Sequence, residues 1–218
     1  MQTITEAIID AGLTNHLLTE TDLARLLGGT AARRYALVNK ALKHGELVRI
    51  TRGLYILAKK YSREKISRLV LANHIVAYSY VSLESALAYH GWIPELVATV
   101  FSVIPSGRSR TFATEYGEYA YERISTYRYE FLVGVEREII DGQVCLIASP
   151  LRALVDYVYL RKPETAGVDF LEQSLRIERD AIKSIQATDI EQLEFVFRSR
   201  RVLAFLEQLR GELKNYDN

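Results

Sequence analysis

The chain of 218 residues is 49% apolar and 25% charged, as a globular protein is. That length suggests one large or two small domains, and it buries enough surface to need no disulfide or metal staple. The lone cysteine, Cys145, excludes an internal disulfide, and the longest uncharged run, Leu69 to Leu83, is polar-interrupted and shorter than the roughly 18–20 apolar residues of a membrane span.

Net charge is +1, but it is unevenly spread. Residues 1–65 hold 11 Lys/Arg against 6 Asp/Glu, whereas residues 66–218 hold 17 against 21. A basic head on an acidic body suits a nucleic-acid-binding module joined to a second function. A chance imbalance on a solvated surface gives the same numbers. Glu6 and Asp10 interrupt the first apolar pattern, so no signal peptide is read and a cytoplasmic location is expected.

In chain order, Ile4 to Ala11 has the spacing of a short helix. Thr19 with Asp22 resembles a capping box, predicting a helix from Glu20 to Leu27 that stops at Gly28-Gly29. Thr30 caps the next helix, which ends near Gly45. Two short helices joined by a Gly-containing turn are a helix-turn-helix candidate. On the second helix, Ala31, Tyr35, Val38 and Leu42 form a stripe assigned to the core. Arg33, Ala36, Leu37, Lys40 and His44 lie opposite, flanked by Arg34, Asn39 and Lys43. That face reads either as a solvated basic surface or as a recognition helix.

Leu47–Ile50 and Leu54–Leu57 read as strands closed by Thr51-Arg52-Gly53, with Gly53 supplying a positive φ. Arg49 and Arg52 mark this hairpin. Helix, turn, basic helix and basic-tipped hairpin define the expectation of a winged helix-turn-helix over residues 1–60. Its expected DNA contacts are Thr30, Arg33, Arg34, Leu37, Lys40, Lys43, Arg49 and Arg52. Such domains also serve as protein-interaction modules.

"AKKYSREK", 58–65, reads as a linker or the start of a surface helix, before a helix candidate from Ile66 to Ile75. A strand end then leads into a helix capped by Ser82 and stopped by Gly91. "LVATVFSVIP", "TFATEYGEYAYERI" and "TYRYEFLVGVEREI" read as strands; Asp141-Gly142 is a hairpin turn before the strand "QVCLIA". Ser149-Pro150 starts a helix. The remainder is helical, with Thr188 and Glu191 as a capping box. Residues 66–218 are therefore expected to form a larger α+β domain with a mainly antiparallel sheet and a helical C-terminus.

Phosphate-loop, Rossmann, nucleophile-elbow and zinc-helix patterns are absent from the sequence, and its four histidines lack metal-ligand spacing. Neither a metal nor a cofactor is expected. His90, before Gly91, suits a helix C-terminus, and Cys145 suits a packed position. The loop "PSGRSRT" is the candidate for an anion or partner contact: Gly107 allows close approach, and Arg108, Ser109 and Arg110 supply donors. A solvated strand connection is the alternative. The arginines Arg198, Arg200 and Arg201 read as a solvated face.

The order "GELVRITRGLYIL", "SLESALAYHGWIPE", "FSVIPSGRSRT" and "IASPLRALVDYVYL" resembles the AbiEi-like antitoxins, a family also described as transcriptional regulators of a viral defence system. The resemblance spans roughly residues 5–165 and rests on Ser85-Ala86-Leu87, His90-Gly91, Pro150, Arg152-Ala153-Leu154 and Asp156. It departs at Leu151, where the family often has Glu. The resemblance implies a bacterial type IV antitoxin, active in abortive infection and phage defence. Such a protein represses its own operon through the first domain and counters a nucleotidyltransferase-like toxin through the second, without needing a stable complex. It implies double-stranded operator DNA as partner, bound by a homodimer or cooperatively, with no membrane and no enzymatic activity. A winged-helix regulator sensing a small anion at Arg108 and Arg110, and a nucleic-acid-acting enzyme, are the rival readings.

Overall fold

The computed structural model describes residues 3–61, 66–127 and 129–216. With 44% helix and 21% strand the chain is mixed α+β, with one antiparallel and one mixed sheet. It divides into two units. One runs to Ala77 and takes in Thr114–Tyr116; the other comprises Tyr78–Ala113 and the chain from Gly117 onward.

The first unit begins with helix α1, Ile4–Asp10, closed by a capping box between Thr3 and Glu6. A two-residue strand β1, Leu18–Thr19, leads directly into α2, Glu20–Leu27. Thr19 is both strand end and helix cap: its N–H donates to Asp22 Oδ2 (2.9 Å), and Asp22 N–H donates back to Thr19 Oγ1 (3.2 Å). Gly28 and Gly29, both with positive φ, end α2 where the sequence places its stop. Helix α3, Ala31–Lys43, follows, with Thr30 Oγ1 accepting from the Arg33 N–H (3.3 Å).

Strands β2, Leu47–Thr51, and β3, Leu54–Leu57, form the expected hairpin, with Arg52-Gly53 at its tip and Gly53 at φ 79°. β1 adds to the far side of β3, giving an antiparallel sheet of order β1-β3-β2. One apolar cluster unites these pieces: Ile4 and Ile8 of α1, Leu23 of α2, Val38 and Ala41 of α3, and Leu18, Leu47, Tyr55 and Leu57 of the sheet. Lys59–Tyr61 form one turn of 3-10 helix; the rest of the expected linker, 62–65, lies outside the described residues. Helix α4, Arg68–Ile75, completes this part of the chain, its cap Ser67 accepting from the Leu69 N–H.

The core stripe expected on α3 is rotated. Tyr35 is 72% exposed and Ala31 is also exposed; Val38 and Ala41 are buried, with Leu37 and Leu42 half-buried beside them. The helix carries two overlapping apolar stripes. Only its second half reaches the core, so the stripe through Ala41 is the one buried.

The second unit is built on a six-stranded sheet. Its strands are β4, Tyr80–Val81; β5, Thr99–Ile104; β6, Arg110–Thr114; β7, Gly117–Arg123; β8, Val135–Ile140; and β9, Gln143–Ala148. Their order is β6-β7-β5-β4-β9-β8. The expectation of a mainly antiparallel sheet holds in part, because the sheet is mixed. β5–β7 and β4–β9 are parallel, while β4–β5 and β8–β9 are antiparallel. The parallel pairs join strands that are not consecutive in the chain, and alternation within a strand carries no record of such a neighbour. The β8–β9 turn is as expected: Asp141 (φ 51°) and Gly142 (φ 73°) both take positive φ.

Helices α5, Leu83–Tyr89, and α6, Pro150–Arg161, pack together and against β5 and β9. Outside them, α9, Ala187–Glu194, and α10, Arg200–Tyr216, pack on α6. The short helices α7, Val168–Gln173, and α8, Arg179–Lys183, come between. Three local readings need correction. Ser82 precedes α5 but makes no cap bond; its hydroxyl donates instead to Asp156 (2.7 Å), because its extended backbone turns it inward. Thr188 lies inside α9, whose N-cap is Gln186. The strand read from Thr126 begins only at Val135, after a turn in which Gly134 takes φ 72°; a Cβ there would sit 3.1 Å from Arg152 Cβ. Arg128, within that stretch, lies outside the described residues.

Candidate nucleic-acid interface

The basic residues singled out from the sequence fall on two neighbouring elements of the first unit. Along α3, Arg33, Ala36, Lys40 and Lys43 are exposed at spacings of 3, 4 and 3, so they form one outward stripe. Opposite it lie the buried Val38 and Ala41. The stripe contains no acidic residue, and α3 packs on β2 of the hairpin.

The arginines of α3 are engaged locally. Arg33 Nη1 donates to the Leu27 carbonyl (3.1 Å), and Arg34 Nη1 donates to the Gly29 carbonyl. Both therefore satisfy carbonyls left free where α2 ends. They hold the turn between the helices, and Arg33 also lies over Gly29, where a Cβ would stand 3.0 Å from its guanidinium. Arg34 is only half-exposed, and so is Leu37. Thr30 is used by its own helix. Lys40 and Lys43 project from the middle and last turn.

On the hairpin, Arg49 is exposed on β2, an edge strand of the small sheet. A charged residue there also discourages edge-to-edge pairing. Arg52 is exposed at the tip. The Glu20 carboxylate stands beside Gly53, so α2 places one negative charge near this tip.

The loop holding Arg108, Ser109 and Arg110 is in the second unit and is exposed throughout. Gly107 takes φ 89°. Ser109 Oγ accepts the Arg123 N–H (3.2 Å), tying the loop to the end of β7, and Arg110 lies 5.6 Å from the Phe112 ring centre. The loop and the α3 surface thus belong to different units.

The residues that carry the family resemblance have structural work. Asp156 accepts from Tyr80 (2.8 Å), Ser82 (2.7 Å) and Arg152 Nε (3.0 Å). Arg152 also donates to the Tyr80 hydroxyl (2.6 Å) and the Val133 carbonyl (2.5 Å). Arg152, Asp156, Tyr80 and Ser82 are all fully buried. Burial, with the Asp156 charge beside it, pushes the Tyr80 hydroxyl well above its usual range, so it stays a donor. Ser85 Oγ accepts from Phe101 N–H (2.8 Å) and donates to the Thr99 carbonyl (3.2 Å), and His90 Nε2 lies 2.9 Å from the Ala148 carbonyl. These side chains fasten α5 and α6 to the sheet. The Cys145 thiol is buried and pushed up to about 12 by that burial and by Glu138, which suits a packed, unreactive group.

Among the described residues no group of His, Cys, Asp and Glu is arranged to hold a metal, and no helix is long and apolar enough to cross a membrane. Compared with known proteins, the chain matches no family model and no curated relative.

Proposed function

We propose that the first unit is a winged helix-turn-helix that binds duplex DNA, and that the chain is a transcriptional autoregulator acting as a type IV antitoxin. The observation that carries the DNA reading is the acid-free stripe of Arg33, Lys40 and Lys43 on α3, with the exposed hairpin tip at Arg52 in the same unit. The element order supports it: helix, short strand, two helices across a glycine turn, then a hairpin that shares a sheet with the short strand. In this reading α3 enters the major groove. Lys40 and Lys43 face DNA, Arg33 and Arg34 brace the turn, and Arg52 meets a phosphate or the minor groove beside it.

The antitoxin role rests on the family resemblance of residues 5–165. The second unit would counter a nucleotidyltransferase-like toxin, with no catalysis by this chain. Two experiments test the two halves. Gel-shift titration of the full chain on duplex from upstream of its own gene should give a discrete complex, lost on substituting Lys40 and Lys43 by Glu; a complex that survives this change refutes the assignment of α3. Co-expression with a neighbouring nucleotidyltransferase should restore growth; continued growth arrest by a toxic nucleotidyltransferase refutes the antitoxin reading.

A further inference from the structure

An open cleft of about 780 Å³ lies wholly within the second unit. Its walls come from three places: the end of β7 and the segment after it, the last turns of α6, and the junction of α9 and α10. Arg123, Lys162, Arg198 and Arg201 line it with Tyr127 and Tyr159, and among the described residues no carboxylate does. Sequence distances of up to 78 residues separate these cations, so the chain order shows only the part formed by Arg198 and Arg201.

In this unit Arg152, Arg161, Arg176, Arg179 and Arg210 each pair with a carboxylate. Among the described residues, the four cations of the cleft pair with none. The first turn of α10, a helix of 17 residues, adds to the same potential. It holds Arg200 and Arg201 and no acid, and its first free N–H groups follow Ser199, which lines the cleft. Like charges gathered on the positive end of a helix repel one another until an anion joins them.

The walls are braced. The Tyr127 N–H donates to the Val196 carbonyl (3.0 Å), joining two of the segments, and Arg201 donates to the Pro163 carbonyl (2.8 Å). Arg198 lies 4.3 Å from the Tyr127 ring centre, and Tyr159 packs on Phe197. Lys162 ends α6 in the left-handed region (φ 51°, ψ 53°), where glycine is the usual occupant. A lysine there brings an ammonium to the cleft that glycine lacks.

We infer that this cleft binds a nucleoside polyphosphate, with the phosphates held by Arg123, Lys162, Arg198 and Arg201 and the base laid against the tyrosine wall. Guanidinium forks match phosphate oxygens, and tyrosine rings offer a face to any base. The volume is that of a small-molecule site. The inference is independent of DNA binding by α3.

Calorimetric titration of the full chain with ATP, GTP, tripolyphosphate and adenosine tests it. ATP or GTP should bind once per chain, tripolyphosphate more weakly, and adenosine not measurably. The combined change Arg123→Ala and Lys162→Gly should weaken nucleotide binding roughly tenfold or more. Thermal stability should hold, because both side chains are exposed and glycine suits the backbone at 162. Tyr127→Ala should narrow the difference between ATP and tripolyphosphate, because the base loses its wall. Three results would overturn the inference: no binding of either nucleotide, nucleotide binding undiminished in the double variant, or tripolyphosphate bound as tightly as ATP. Tight binding of single-stranded oligonucleotide with none of ATP or GTP would assign the cleft to nucleic acid instead.

Discussion

The two units place their basic side chains under opposite conditions. On α3, Lys40 and Lys43 lie in water, and Arg33 bonds to a backbone carbonyl at the surface. In the second unit, Arg152 is fully buried between the Tyr80 and Phe197 rings, with partners at Nε, Nη1 and Nη2. A charge in water keeps its hydration, costs little to remove and is free to meet an anion. A buried charge has exchanged hydration for fixed partners, so the fold depends on it. The difference assigns roles without any motif: the first surface is available for binding, and the second cluster holds α6 to β4.

The sharpest way to break this contrast is Arg152→Ala. It leaves the buried Asp156 carboxylate without its cation and should cost about 3–5 kcal/mol. Urea or thermal unfolding measures it; a loss no larger than that of an exposed arginine would mean that the Tyr80 and Ser82 hydroxyls suffice for Asp156.

A smaller effect is expected at the start of α2. The Thr19 hydroxyl holds the Asp22 carboxyl below the usual carboxylate range, against the opposing effect of partial burial. A carboxyl lowered in the folded state stabilises the protein above its unfolded pKa, about 3.9. That contribution disappears as the pH falls through the folded value. Thr19→Ala should cost about 1 kcal/mol near neutral pH. Unfolding curves of the variant and the parent should converge as the pH drops below about 4. Curves that stay parallel there would show that the cap acts independently of the Asp22 charge.

Arg52→Ala sharpens the comparison from the other side. An exposed tip residue should leave the melting temperature unchanged while lowering affinity for all duplexes alike. If it meets one phosphate, the slope of log K against log salt should fall by about 0.9. An unchanged slope would leave Arg52 as a solvated tip.

Much of the first unit was legible because its signals are local. Thr19, Asp22, Gly28 and Gly29 bound α2, and Arg52-Gly53 mark the turn between β2 and β3, all within a few residues of the structures they specify. The face of α3 was less legible. Its sequence supports two apolar stripes, and only the packing of Val38 and Ala41 against α1 and the sheet selects one. The bracing role of Arg33 and Arg34 had a readable signal: carbonyls freed at a double-glycine helix end, with arginines 5 and 6 residues on. In the second unit the missing information is long-range. Ser82 looks like a cap until Asp156, 74 residues later, takes its hydroxyl. The cleft is likewise assembled from β7, α6 and α10, so Arg198 and Arg201 read locally as a solvated face.

The most direct measurement is the salt dependence of duplex binding by the full chain and by its Lys40→Ala, Lys43→Ala double variant. If both lysines meet phosphates, the variant should be as stable as the parent, bind more weakly, and show a slope shallower by about 2. Equal affinity and equal slope in the two proteins, or no duplex binding by the parent, would contradict the assignment of α3 as the DNA-binding surface.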